Sequence, residues 1–89
     1  RNLHLDKNDL VKMGKIVKKI LSIKTKLKSQ KNIKRYLNQK KIDLNIFYKI
    51  KIEYFELRNI KNLKTTNKHY NSRLFIAYHL NKIRLIDNF

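Results

Sequence analysis

The chain contains no proline and a single glycine, Gly14. Proline and glycine are the strongest local punctuators of structure. A chain without them has few marked turns, and long helices fit it best. The first predicted helix runs over about 9–28, capped by Asn8 or Asp9, whose side chains can accept from the free amides of a first turn. Leu10, Met13, Val17, Ile20 and Leu27 recur at a spacing of three and four. Gly14 inside it costs about 1 kcal/mol relative to alanine. A shorter piece over 31–40 carries Ile33, Tyr36 and Leu37.

The segment "IDLNIFYKIKIEYFEL" reads two ways. Apolar and polar residues alternate from Ile42 to Tyr54, which argues for a strand. Phe47, Ile50, Tyr54, Leu57 and Ile60 also lie at helical spacing, and the pattern reaches Leu63. Strands usually run 3–10 residues, so a helix over about 43–64 is expected, capped by Asp43 or Asn45, with a two-stranded hairpin as the alternative. A last helix over 73–87, capped by Asn71 or Ser72, carries Leu74, Phe75, Ile76, Tyr78, Leu80, Ile83 and Leu85. The expected fold class is all-α: a small bundle of three to four helices with a long helical hairpin. Residues 1–89 form one domain, with 1–8 as an extended arm.

Charge is the second constraint. Lysine and arginine number 23 against 6 acids, a net charge of +17. Abundant Lys, Asn and Ile are consistent with an AT-rich genome, but that bias does not suppress Asp and Glu. The self-repulsion of such a charge calls for a polyanion, and nucleic acid is the first choice. An anionic membrane surface is the second. No apolar run is long enough to span a bilayer.

Catalysis finds little support. The acid pairs Asp6/Asp9 and Glu53/Glu56 read as helix-start charges or as solvated partners of lysine. His4 and His79 read as surface residues, and His69 has no neighbouring ligand at metal spacing. There is no cysteine and no Gly-rich phosphate loop. The chain is therefore expected not to be an enzyme, to need no cofactor or metal, and to bind no small-molecule substrate.

One stretch stands out. "NKHYNSRLF", residues 67–75, brings Lys68, His69, Tyr70, Ser72 and Arg73 together between the two best predicted helices. Asn71 or Ser72 can cap the last helix, with Tyr70 packed against it. A helix N-terminus also offers free amides to a phosphate, and short polar side chains read RNA grooves.

This region carries a resemblance. "LKTTNKHYNSRLFIAYHLNK", 63–82, is similar to the segment joining the long helices of small-subunit ribosomal proteins numbered fifteen. Leu63, Lys64, Lys68, Tyr70, Ser72, Arg73, Leu80 and Lys82 match that pattern, while Thr66 and His69 stand where the family has histidine and aspartate. "EYFELR" with "LNKIRLI" is similar to large-subunit proteins numbered twenty-nine, and Tyr70 to Asn88 more weakly to those numbered twenty. The resemblance implies a structural constituent of an organellar ribosome, mitochondrial or otherwise of plastid type. Its partners would be ribosomal RNA and neighbouring ribosomal proteins. The implied RNA contacts are Lys64, Lys68, His69, Tyr70, Ser72, Arg73, Lys82 and Arg84. The alternative is a basic helical accessory subunit of a membrane-associated or other protein complex.

Overall fold

The computed structural model describes residues 5–89; the expectations for His4 and for the first four residues of the arm fall outside them. The elements in order are α1 (Lys7–Lys26), a 3-10 turn (Leu27–Ser29), α2 (Ile33–Tyr48), β1 (Lys51–Asn59), β2 (Ser72–Leu80) and β3 (Ile83–Asn88). The strands form one antiparallel sheet in the order β1-β2-β3. The fold is two helices on a three-stranded sheet, not an all-α bundle.

Both helices start where side chains take the free amides. Asp6 accepts from the Asp9 amide while the Asp9 carboxylate faces the Asp6 amide, a capping box. The cap is thus Asp6 rather than Asn8 or Asp9, so Lys7 and Asn8 belong to the helix and not to an arm. Asn32 caps α2 by accepting from the Arg35 amide at 3.1 Å, and Asn67 takes the neighbouring Lys34 amide at 3.0 Å. The second contact ties the 60–71 connection to the start of α2.

The core lies between the helices and one face of the sheet. Ile16, Ile20 and Ile23 of α1 and Ile33, Leu37 and Leu44 of α2 pack with Ile52, Phe55 and Leu57 of β1. Leu74, Ile76, Tyr78 and Leu80 of β2 complete the cluster. Each such side chain contributes roughly 1.5–3 kcal/mol by leaving water. The α1 stripe is rotated from the expected one: Ile16 and Ile23 are buried, while Leu10 is exposed.

The predicted helix over 43–64 fails after its sixth residue. Residues 43–48 are the last turn and a half of α2, and Lys49 ends it in the left-handed region at φ 54. Asp43 and Asn45 cap nothing at a helix start. Instead the Asn45 side chain accepts from the Ile52 amide at 2.8 Å, joining the helix end to the strand. From Lys51 onward the chain is a strand, and Ile52, Phe55 and Leu57 are buried in the core, with the alternation interrupted once between Ile52 and Phe55.

The predicted helix over 73–87 is two strands. In β2, Leu74, Ile76, Tyr78 and Leu80 alternate inward. Phe75 and Ala77 on the other face are apolar too, and this masks the period of two. Leu80 pairs with Ile83, so Asn81 and Lys82 form a two-residue hairpin loop. Both have positive φ, 50 and 69, the pattern of a type I′ turn, which favours Asn-Gly. A non-glycine residue in the left-handed region carries a penalty of roughly 1–2 kcal/mol. Lys82→Gly removes that penalty but loosens the unfolded chain. We expect a net stabilisation of about 0.5–1 kcal/mol, read as a rise in thermal midpoint of about 4 °C.

Candidate functional site

The strongest side-chain cluster spans all three strands. The β1–β2 register shifts between Ile52 and Tyr54, so Glu53 is the extra residue of a β-bulge. Bulges re-aim a side chain, and here the Glu53 carboxylate turns to the sheet face opposite the helices. There Arg84 of β3 donates through Nε at 2.6 Å and Nη2 at 3.1 Å. His79 of β2 places Nε2 at 2.5 Å from the same carboxylate. The Arg84 and His79 hydrogen bonds hold the Glu53 carboxyl down to about 2, from an ordinary 4.5. Glu53 in turn raises the Arg84 guanidinium. On the helix side, burial pushes the Tyr78 phenol up.

The same open face carries Tyr54, Phe75, Ala77 and Ile86 along its middle, by the strand pairing. Glu56 is taken by Arg58 at 3.2 Å. With Glu53 and Glu56 both engaged, the face keeps an excess of cations from Lys51 and Arg73. Arg73 donates to the Asn88 side chain at 3.1 Å.

The second feature is the 60–71 connection, which joins two strands and not two helices. Asn71 has φ 50, and Ser72 opens β2, so neither caps a helix. Within the connection, the Lys68 ammonium lies 6.0 Å from the Tyr70 ring centroid. His69 meets that ring edge-on at 5.7 Å, and Tyr70 stands exposed rather than packed. His69 and Ser72 line a pocket of about 390 Å³ against the end of α1, with Lys24, Thr25, Leu27, Lys28 and Leu57.

The eight residues singled out in the sequence therefore do not converge. His69 and Ser72 share a pocket, Lys68 and Tyr70 stack beside it, and Lys64 is exposed in the same connection. Lys82 lies in the turn at the other end of β2, roughly 27 Å along the strand. Arg84 belongs to the Glu53 cluster. Sequence reasoning missed Glu53 and His79. The signal was the alternation of 50–57: read as a strand, it sets Glu53 apart from the buried Ile52 and Phe55. Among the described residues, no group of His, Asp or Glu is placed to hold a metal. No helix there is long and apolar enough to cross a membrane.

Comparison with known proteins decides the family. The family model described as pantoate-beta-alanine ligase matches residues 1–89. The chain belongs to the pantoate-beta-alanine ligase family. No curated protein and no solved structure matches the chain. The family match overturns the ribosomal resemblance and, with it, ribosomal RNA and ribosomal proteins as partners. The accessory-subunit alternative has no support either. The ribosomal resemblance rested on helices flanking 64–73, and those flanks are strands. The family is one of enzymes acting on small molecules, so the expectations of a non-enzyme and of no small-molecule substrate are also overturned.

The Glu53 cluster has a pH signature. Its folded carboxyl titrates below its unfolded value, so its contribution to stability is complete above pH 4.5 and is lost as pH falls towards 2. Denaturant titrations at pH 7, 4 and 2.5 should show Glu53→Gln less stable than the parent at pH 7. That gap should narrow at pH 4, narrow further at pH 2.5, and close only below the folded value of about 2.

Proposed function

We propose that this chain serves the reaction its family is named for, the joining of pantoate to β-alanine. The observation that carries this reading is a family match covering the whole of residues 1–89. The amine of β-alanine attacks the carboxyl carbon of pantoate, a C–N bond forms, and one carboxyl oxygen leaves. A bare carboxylate is a poor electrophile because its charge is delocalised over both oxygens. The carboxylate oxygen must therefore first attack a phosphorus of ATP, the third substrate implied by the family, breaking a phosphoanhydride bond; the amine then expels that oxygen with its phosphoryl group and gives up a proton to solvent.

The charge of the chain suits these substrates. Pantoate is a carboxylate and ATP a polyanion. A surface with 23 basic and 6 acidic residues raises their local concentration and speeds their encounter. The contribution of this unit is thus binding and orientation of anions.

The test is an assay of the protein carrying this chain with ATP, pantoate and β-alanine, following amide product and nucleotide together. We expect product only with all three substrates present. The KM of the anionic substrates should rise as salt goes from 50 to 300 mM, because screening weakens the attraction. Nucleotide consumption without amide product, or no reaction at all, would overturn the reading.

A further inference from the structure

We propose that the groove between α1 and α2 docks an acidic amphipathic helix of a partner protein. Helix α1 lies against β2 and α2 against β1, and a groove of about 560 Å³ runs between the helices. No strand residue lines it, so it opens away from the sheet. Its floor is Ile23 and Leu44, both buried. Ile46 and Phe47 stand at its mouth, 73% and 77% exposed, more than any other large apolar side chain among the described residues. Ile42, one turn before Ile46, is exposed as well and extends the patch. The Phe47 ring meets Tyr48 edge-on at 4.9 Å, and that contact leaves most of it in water. A lone apolar residue on a surface is ordinary, whereas a contiguous group beside a groove marks a contact site.

The charge around the groove sets the sign of its occupant. Lys19 on one wall and Lys40 on the other bracket the apolar floor. Lys12 and Lys26 stand seven residues before and after Lys19, about two turns along α1 in each direction, so all three share one stripe of the helix. Lys19 pairs with no acid among the described residues. The one acid on the lining, Asp43, is held by the Lys40 ammonium at 3.9 Å and the Gln39 amide at 3.2 Å. A second copy of the chain would bring another charge of +17 against this stripe, and like charges brought together suppress association. An acidic partner is drawn to it instead.

Helical walls select a helix. The backbone N–H and C=O groups along both walls are used within the helices, so an added strand finds no ladder to join. An amphipathic helix instead lays its apolar face into such a groove, with anchors three and four residues apart. The stripe from Lys12 to Lys26 is about 21 Å long, the length of a four-turn helix. The partner segment therefore has large apolar anchors on one side, meeting Ile23, Leu44 and Phe47. Asp or Glu flanks them, meeting Lys19 and Lys40.

The probe is a peptide of about 18 residues, five turns of helix, with leucine at helical spacing on one face and glutamate on the others. Its controls are a scrambled peptide of the same composition and a version with lysine in place of glutamate. Titrated into the chain labelled for NMR, the first should bind saturably and shift the Ile23, Leu44 and Ile46 methyls and the Phe47 ring. The controls should bind about tenfold more weakly or not at all. Phe47→Ala should weaken the acidic peptide about tenfold, as loss of an aromatic anchor does. Lys19→Glu should weaken it about fivefold and strengthen the lysine version. Both positions are exposed, so neither substitution should lower the thermal midpoint. Equal binding of the scrambled peptide, or binding indifferent to both substitutions, would overturn the proposal. So would either rival occupant: phosphatidylglycerol vesicles that perturb these signals while the peptide does not, or a mass that doubles with concentration in the parent and not in Phe47→Ala.

Discussion

The structure depends on the burial of β2. This strand is hydrogen-bonded on both edges, and Leu74, Ile76 and Ala77 expose no surface at all. Its inward side chains share one core with those of both helices, α1 lying against β2 and α2 against the neighbouring β1. Its start is also fixed by the chain's end: Leu74 and Phe89 exchange both backbone hydrogen bonds at 2.8 Å. The Asn81 amide side chain at the far end donates to Asp9 at 2.8 Å, tying the β2–β3 turn to the capping box of α1.

From that frame the charged cluster follows. One extra residue in β1 sits at Glu53, whose carboxylate reaches across β2 to Arg84 on β3. Without the bulge, strict alternation after Ile52 would keep Glu53 outward but would turn Tyr54 inward and Phe55 outward. The bulge therefore serves two ends: it keeps Phe55 in the core and leaves Tyr54 on the open face beside Glu53. A shared carboxylate then staples the three strands of the sheet through Arg84 and His79. Charge self-repulsion is what a chain of net +17 must overcome, and Glu53 sits where one acid engages basic side chains of two other strands.

How much of this was legible in the sequence depended on the element. Helix α1 and the start of α2 could be read, because apolar residues recur at helical spacing in each, although the caps Asp6 and Asn32 were not the residues the sequence reading named. The sheet could not, because its turns lack the usual residues. Lys49, Leu63, Asn71, Asn81 and Lys82 take positive φ without being glycine. Turns that most sequences mark with glycine are made here by lysine, asparagine and leucine, so the boundaries vanish into a lysine- and asparagine-rich background. The apolar outer face of β2, at Phe75 and Ala77, erased the alternation in the strand that matters most. Of the site, the 67–75 stretch was visible as a concentration of polar groups, and His69 and Ser72 do line one pocket. Their neighbours Lys24 and Lys28 lie some forty residues away in sequence and become neighbours only through the fold. Glu53 was hidden behind the assumption that 43–64 is a helix.

The account stands or falls on the pairing of β1 with β2, since that pairing places Glu53 on Arg84 and turns 60–71 into a strand connection. Leu57 and Leu74 face each other across the two strands. The carbonyl of Leu57 bonds outward to the Thr66 amide, and Leu74 bonds to Phe89. The two residues thus form a non-hydrogen-bonded pair, whose α-hydrogens lie close together. A nuclear Overhauser spectrum of the labelled chain should show a strong contact between the α-hydrogens of Leu57 and Leu74. Consecutive amide-to-amide contacts running through 73–87, with that cross-strand contact missing, would mean a helix there and would contradict the account.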